Sequence, residues 1–325
     1  MPENVEHFGR LADGRAVQRI TLRAGALQAS VLTLGAVLQD VRLAGVGHGL
    51  TLGSEDLADY VGDMRHHGSV IGPVVNRLTD AQAVVAGRLC RFEANQDARH
   101  VLHSGSAGSH LALWEVEAAS AGRVRLGLAM PDGAGGFPGN RRVTAEYAVL
   151  PQTGLRLEIR AQTDAPTIFN AANHSYWNLD GTADFAGHRL QIAADAYLPT
   201  TDAFVPTGEI RDVTATPFDF RKARAVSPGN PALDNCFCLG AASGPLRRVL
   251  WLEGRAGVRM AVATTEPGVQ IYDGRAATRP GRGPYEGIAI ETQGWPDAPN
   301  HAGFPPIDLA PGRPLAQVTE WWFGA

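Results

Sequence analysis

The chain has 325 residues, 44% of them hydrophobic and 19% charged, with a net charge of -4 and with 38 glycines and 21 prolines spread along it. That composition excludes a disordered or low-complexity chain and describes a globular protein long enough to bury a core without disulfides or metal. No basic surplus is present to grip phosphate backbones, so nucleic acid is not an expected partner.

The opening stretch, Met1-Pro-Glu-Asn-Val-Glu-His-Phe8, has neither a basic nor an apolar export region, and nowhere do about 18 apolar residues run together, so no membrane span is expected. The three cysteines, Cys90, Cys236 and Cys238, are an odd number and read as reduced thiols in the cytoplasm. Cys236 and Cys238 lie two apart and share a strand face, where small core residues fit better than a metal pair.

From Gly9 to Ala44 the pattern is strand, turn, strand. Val17, Ile20 and Leu22 precede the turn Arg23-Ala-Gly25, and Leu27, Ala29 and Val31 then alternate with Gln28 and Ser30. Ser54 to Tyr60 reads as one short helical turn capped by Ser54 or Asp56. Short β-rich runs continue at Val124–Leu128, Arg142–Leu150, Leu155–Ile159, Arg189–Ile192 and Val258–Val262. The run Leu315–Phe323 alternates around Trp321 and Phe323 and is expected to close a sheet. Such spacing predicts an all-β protein, a large antiparallel β-sandwich, in one domain over residues 1–325.

Chemistry-bearing residues fall between these runs. Asn76-Arg77 sets an amide beside a guanidinium whose fixed donors suit neighbouring hydroxyls, although a solvated strand end reads equally well. His100 and His103 suggest a metal only weakly, since on a strand this spacing faces them apart. In Asn173-His174-Ser-Tyr176-Trp177-Asn178, an extended chain puts Asn173, Ser175 and Trp177 on one face and His174, Tyr176 and Asn178 on the other. An imidazole between an amide and a phenol can be oriented and tuned towards neutrality. Asp234 meets an apolar strand after a Pro-rich loop and reads alone as a turn residue. Gln270 reads alone as solvated. In Gly287-Ile-Ala-Ile-Glu-Thr-Gln-Gly-Trp-Pro-Asp-Ala-Pro-Asn300, Ile288 and Ile290 share one strand face and Ala289, Glu291 and Gln293 the other. A lone Glu291 there reads as the wet face of an antiparallel strand; its company elsewhere overturns that reading.

Asn76-Arg77, Leu102-His103-Ser-Gly105, Asn173-His174-Ser-Tyr-Trp-Asn-Leu179, Asp234-Asn-Cys-Phe237, Glu266-Pro-Gly-Val-Gln270 and Glu291-Thr-Gln-Gly-Trp-Pro-Asp-Ala-Pro-Asn300, taken together and in this order, resemble the aldose 1-epimerase (galactose mutarotase) family from about residue 8 to the end. The resemblance implies a β-supersandwich with an open sugar cleft and no metal or organic cofactor. It implies that Glu291 is the general base and His174 the general acid. Asn76, Arg77, His103, Asp234 and Gln270 would hold sugar hydroxyls and the ring oxygen. The implied partner is a monosaccharide, an aldohexose or aldopentose, bound by a monomer or a homodimer. Pro73, Ser104 and His100 depart from the family pattern near the expected hydroxyl-binding region, and the segment Ala107–Trp114 lacks the usual Phe-Asp before its Trp, which puts galactose as the preferred sugar in question more than the reaction.

The residue chemistry agrees. Anomer interconversion takes a proton from the C1 hydroxyl and gives one to the ring oxygen, a task for one base and one acid. On this reading Glu291 is ionised and His174 protonated, the latter favoured by a nearby carboxylate such as Asp234. The few cations near these motifs argue against a phosphorylated sugar. Two rivals stand beside it. A non-catalytic carbohydrate-binding protein would have no need of the acid–base pair, and a glycoside-processing enzyme would want two carboxylates, for which Asp234 with Glu291 is the available pair.

Overall fold

The computed structural model describes residues 4–325; residues 1–3, the first of the stretch read above for an export signal, lie outside them. Alternation sets the strands locally. In Ala16–Ala24 the side chains of Val17, Ile20 and Leu22 are fully buried, and Gly25 adopts the left-handed φ of +57° that lets the chain reverse into Leu27–Leu32. With Val5–Arg10 and Leu38–Leu43 these strands make a four-stranded antiparallel sheet. The short helix is Leu57–Val61, and of the two expected caps Asp56 serves, its Oδ1 accepting the Ala58 N–H at 2.9 Å.

A nine-stranded sheet runs in the order Glu115–Ser120, Arg123–Met130, Arg141–Leu150, Gly154–Thr163, Leu315–Gly324, Arg259–Thr264, Arg247–Glu253, Arg189–Ile192 and Arg224–Ala225. Leu315–Gly324 therefore lies inside a sheet, paired on both sides, rather than closing one at its margin. Its Trp321 and Phe323 are too apolar for an edge and point into the core.

The third large sheet has six strands: Tyr176–Trp177, Ile288–Gln293, Gly268–Tyr272, Asp234–Cys238, Ala196–Tyr197 and Arg211–Asp212. It packs against the nine-stranded sheet, with the Trp177 and Trp321 rings 5.8 Å apart and Thr292 Oγ1 2.5 Å from Thr319 Oγ1. Leu22 and Val31 from the first sheet, Tyr147, Leu157 and Trp321 from the second, and Phe237, Ile271, Ile288 and Ile290 from the third join one hydrophobic cluster. Each such side chain, buried, contributes about 1.5–3 kcal/mol. The expected antiparallel β-sandwich is what forms. Because Ile288 and Ile290 are committed to that core, Ala289, Glu291 and Gln293 turn to the other face, as the alternation predicts.

Among the described residues no helix is long and apolar enough to cross a membrane. All three cysteines are free thiols; Cys236 is buried in a second hydrophobic cluster and Cys238 packs against it, as small core residues would.

Candidate active site

Register brings distant residues together. Asp234 pairs with Tyr272 and Tyr272 with Ala289, while Cys236 pairs with Gln270 and Gln270 with Glu291. Since side chains alternate, Asp234, Gln270 and Glu291 emerge on one face of three adjacent strands. Glu291 and Asp234 line a cleft of about 330 Å³ together with Asn76, Arg77, His103, His174, Tyr176 and Tyr272. Neither wet-face reading survives: Glu291 is 2% exposed and Gln270 3%. Gln270 is not among the cleft-lining residues. Its Nε2 donates to Asp234 Oδ1 at 2.6 Å and fixes that carboxylate from behind.

His174 reaches the cleft from the connection between the strands Ala172–Asn173 and Tyr176–Trp177. Its backbone is pinned on both sides, its N–H donating to Ser69 O at 2.9 Å and its carbonyl accepting from Gly68 N at 3.0 Å. Gly68 has φ +72°, and a Cβ there would lie 2.2 Å from the Leu38 carbonyl oxygen, so glycine is required. Asn173 turns away and donates to Gly68 O at 2.7 Å, so no amide orients the imidazole, contrary to the expected amide–phenol bracket. The ring is held instead by packing, 5.4 Å from His103, 5.1 Å from Tyr176 and 5.9 Å from His66 between centroids.

Asn76 and His103 meet where Arg77–Leu78 pairs with Val101–Leu102. His103 Nδ1 accepts the Asn76 N–H at 3.2 Å, and burial holds the ring neutral, which leaves its proton on Nε2 as a donor. Asn76 Oδ1 accepts the Arg77 N–H at 2.9 Å, so its Nδ2 donors remain for a ligand. Arg77 gives Nε to Gln96 Oε1 at 2.9 Å and sets NH1 3.8 Å from Asp234 Oδ2.

The central pair is Glu291 and His174, with Oε1 and Nε2 3.6 Å apart, beyond a direct hydrogen bond. Glu291 Oε2 and His174 Nδ1 are buried without a hydrogen-bond partner. Such atoms are costly in a folded protein. Burial pushes the Glu291 carboxyl well above the ordinary carboxylate range, Asp234 adds repulsion, and Arg77 opposes both. Burial pushes His174 well below an ordinary imidazole, with the neighbouring His66 next in effect. In the unliganded cleft both environments favour the uncharged forms, with one proton on the pair, whereas the ionised Glu291 and protonated His174 expected above belong to the step with sugar bound. Asp234 raises the Glu291 carboxyl further.

Sequence reasoning missed several residues of the cleft. His66 and His67 stand in the turn after the short helix, where no periodicity points; the adjacent histidines before Gly68 were the available signal. His66 packs 4.8 Å from His103 and 5.0 Å from His110, and burial lowers it to about 4. Among the described residues no group of three or more His, Cys, Asp or Glu side chains is arranged to hold a metal ion. Arg275 also lines the cleft, but Asp273 takes it at 2.9 and 3.0 Å and Leu233 O at 3.0 Å. Phe204 also lines the wall.

The departures at Pro73, Ser104 and His100 lie behind the site rather than in it. The Pro73 carbonyl accepts the Asn170 N–H at 2.7 Å, Ser104 Oγ bridges the Val74 N–H and carbonyl, both at 2.8 Å, and His100 Nδ1 accepts the Asp80 N–H at 3.2 Å.

Comparison with known proteins agrees with this geometry. Residues 18–322 match the family model for aldose 1-epimerase. The chain is 33% identical to rat (Rattus norvegicus) galactose mutarotase, over 97% of this chain and 96% of that protein. It is 31% identical to the aldose 1-epimerase of Escherichia coli K12, over 96% of each. Among solved structures, a GalM/aldose epimerase homologue from C. elegans superposes with a TM-score of 0.87 at 27% identity, over 95% of this chain and 99% of that one. Galactose 1-epimerase from Lactobacillus acidophilus superposes with a TM-score of 0.84 at 27% identity, over 99% and 98%. With its fold and nearly its whole length matched, the chain belongs to the aldose 1-epimerase family.

Proposed function

We propose that Glu291 is the general base and His174 the general acid of this family's reaction in the present chain, the interconversion of α- and β-anomers of a free aldose. The observation that carries the assignment is a carboxylate and an imidazole 3.6 Å apart in one cleft, both buried and each with an unpartnered polar atom. Glu291 takes the proton of the C1 hydroxyl while His174 protonates the ring oxygen, and the C1–O5 bond opens to the aldehyde. After rotation about C1–C2, O5 returns its proton to His174 and attacks the other face of C1, and Glu291 gives its proton back to O1. No proton is gained or lost over the cycle. Sugar hydroxyls donating to the buried carboxylate favour its ionised form, which moves the pair's single proton to His174 on binding.

Arg77, Asp234, Asn76 and His103 are the proposed hydroxyl and ring-oxygen contacts, and Gln270 acts through Asp234. Both cleft arginines already face carboxylates, which favours an uncharged aldose. All these groups come from one chain acting as one domain, so the reading needs no partner subunit. The free thiols support a cytoplasmic location.

The test is polarimetry on freshly dissolved α-anomers of galactose, glucose, xylose and arabinose. The expected result is a faster approach to equilibrium rotation with at least one sugar. A folded sample that accelerates none of them sinks the assignment and returns the choice to a sugar-binding protein.

The pair also dictates the pH profile. The active form carries one proton on two groups, so kcat/KM falls on the acid side as a second proton reaches His174, below an ordinary imidazole pKa. It falls on the alkaline side as Glu291 gives up the shared proton, well above an ordinary carboxylate pKa. The negative charge of Asp234 holds that proton on, whereas Arg77 loosens it. Asp234→Asn removes the first effect and leaves the second unbalanced. The alkaline limb is therefore expected to move to lower pH, and an alkaline limb that stays or rises contradicts the electrostatics described here.

A further inference from the structure

Phe204 is out of place for an ordinary loop phenylalanine. Its φ of +59° is a left-handed conformation that a bulky side chain rarely adopts. It is only half-buried and packs into none of the hydrophobic clusters of the described residues. The loop around it is nevertheless tightly determined. Phe204 N donates to Thr201 O and Thr201 N to Val205 O, both at 2.9 Å. Gln96 ties the loop to the site, its Nε2 donating to Ala203 O at 3.2 Å while its Oε1 accepts from Arg77. The ring itself lies against two guanidiniums, with Arg77 Cζ 5.3 Å and Arg275 Cζ 5.9 Å from its centroid. Asp273 fixes Arg275, so the ring is braced by groups that are themselves held. An apolar ring kept rigid in a costly backbone conformation, serving no core, has its remaining surface turned to the cleft it lines.

We propose that Phe204 is a sugar-contacting residue, a platform for the C–H face of an aldopyranose whose hydroxyls meet Arg77 and Asp234. The inference rests on the acid–base reading above and adds a source of substrate selection to it. Pyranose rings carry their hydroxyls around the edge and leave C–H patches on their faces, which an aromatic ring covers without hydrogen bonds. Contact of that kind is the same in ground and transition states, so it sets KM rather than kcat.

Three variants separate the ring from the loop. Phe204→Gly removes the ring and suits the left-handed backbone, Phe204→Ala removes the ring and keeps the backbone cost, and Phe204→Tyr keeps the ring. Polarimetric kinetics are expected to show KM raised about tenfold in the Gly and Ala variants, the size of one stacked aromatic contact, with most of the loss in KM, and restored by Tyr. Calorimetric titration with the same sugars is expected to show the same weakening, a readout that does not depend on turnover. Unchanged KM and unchanged binding in Phe204→Gly would overturn the platform, as would a loss confined to kcat. If wild type binds sugar but accelerates no mutarotation, the acid–base reading fails on its own, and the titrations still decide the role of Phe204.

Discussion

Glu291→Gln is expected to slow enzymatic mutarotation by about 10²–10⁴-fold, the usual contribution of a positioned base, while sugar binding persists. The amide matches the carboxyl in size, so the packing of Ile288 and Ile290 beneath the strand is untouched. It removes a group that burial and Asp234 already push towards its uncharged form, so no buried partner is left with an uncompensated charge. The variant is therefore expected to melt near the wild-type temperature. What it lacks is the ability to take a proton from O1. On the proposed assignment binding depends on Arg77, Asp234, Asn76 and His103, all of which keep their partners. Polarimetry for rate and calorimetry for affinity check both halves, and a variant that retains wild-type turnover sinks the role of Glu291.

How far the sequence foretold this arrangement depended on which interaction decided each feature. Local alternation sufficed for Ala16–Ala24 and Leu27–Leu32, where each strand needs only to bury one face. The same alternation correctly separated Ile288 and Ile290 from Glu291. It could not predict that Glu291 is buried, because the site-facing side of Ile288–Gln293 is covered by chain from other parts of the fold. Gathering Asp234, Gln270 and Glu291 on one face was beyond local pattern as well. It depends on the register of three strands, and a slip of one residue would turn any of them away. There the family resemblance supplied what periodicity lacked. It named Gln270 for the site without showing that its side chain spends its donor on Asp234. His66, Arg275 and Phe204 lie in turns, where conformation depends on long-range contacts, and none of them stood out.

The double variant Glu291→Gln with His174→Asn is expected to be little slower than the slower of the two single variants. Two independent catalytic groups, each worth about 10²–10⁴-fold, would multiply when both are removed. On the proposed assignment one proton serves both side chains, and ring opening needs O1 deprotonated and O5 protonated in the same passage. Either substitution alone disables that passage, and the residual rate then belongs to a route that uses neither group. His174→Asn is also expected to be tolerated structurally, because the segment is fixed by backbone bonds to Gly68 and Ser69 and no hydrogen bond to Nδ1 is lost. Single and double variants would be compared by polarimetry at saturating sugar, with the uncatalysed rate subtracted. A double variant slower by the full product of the single losses would mean that the two side chains act on separate steps. Near-equality of the double and the slower single would tie Glu291 and His174 to one shared proton.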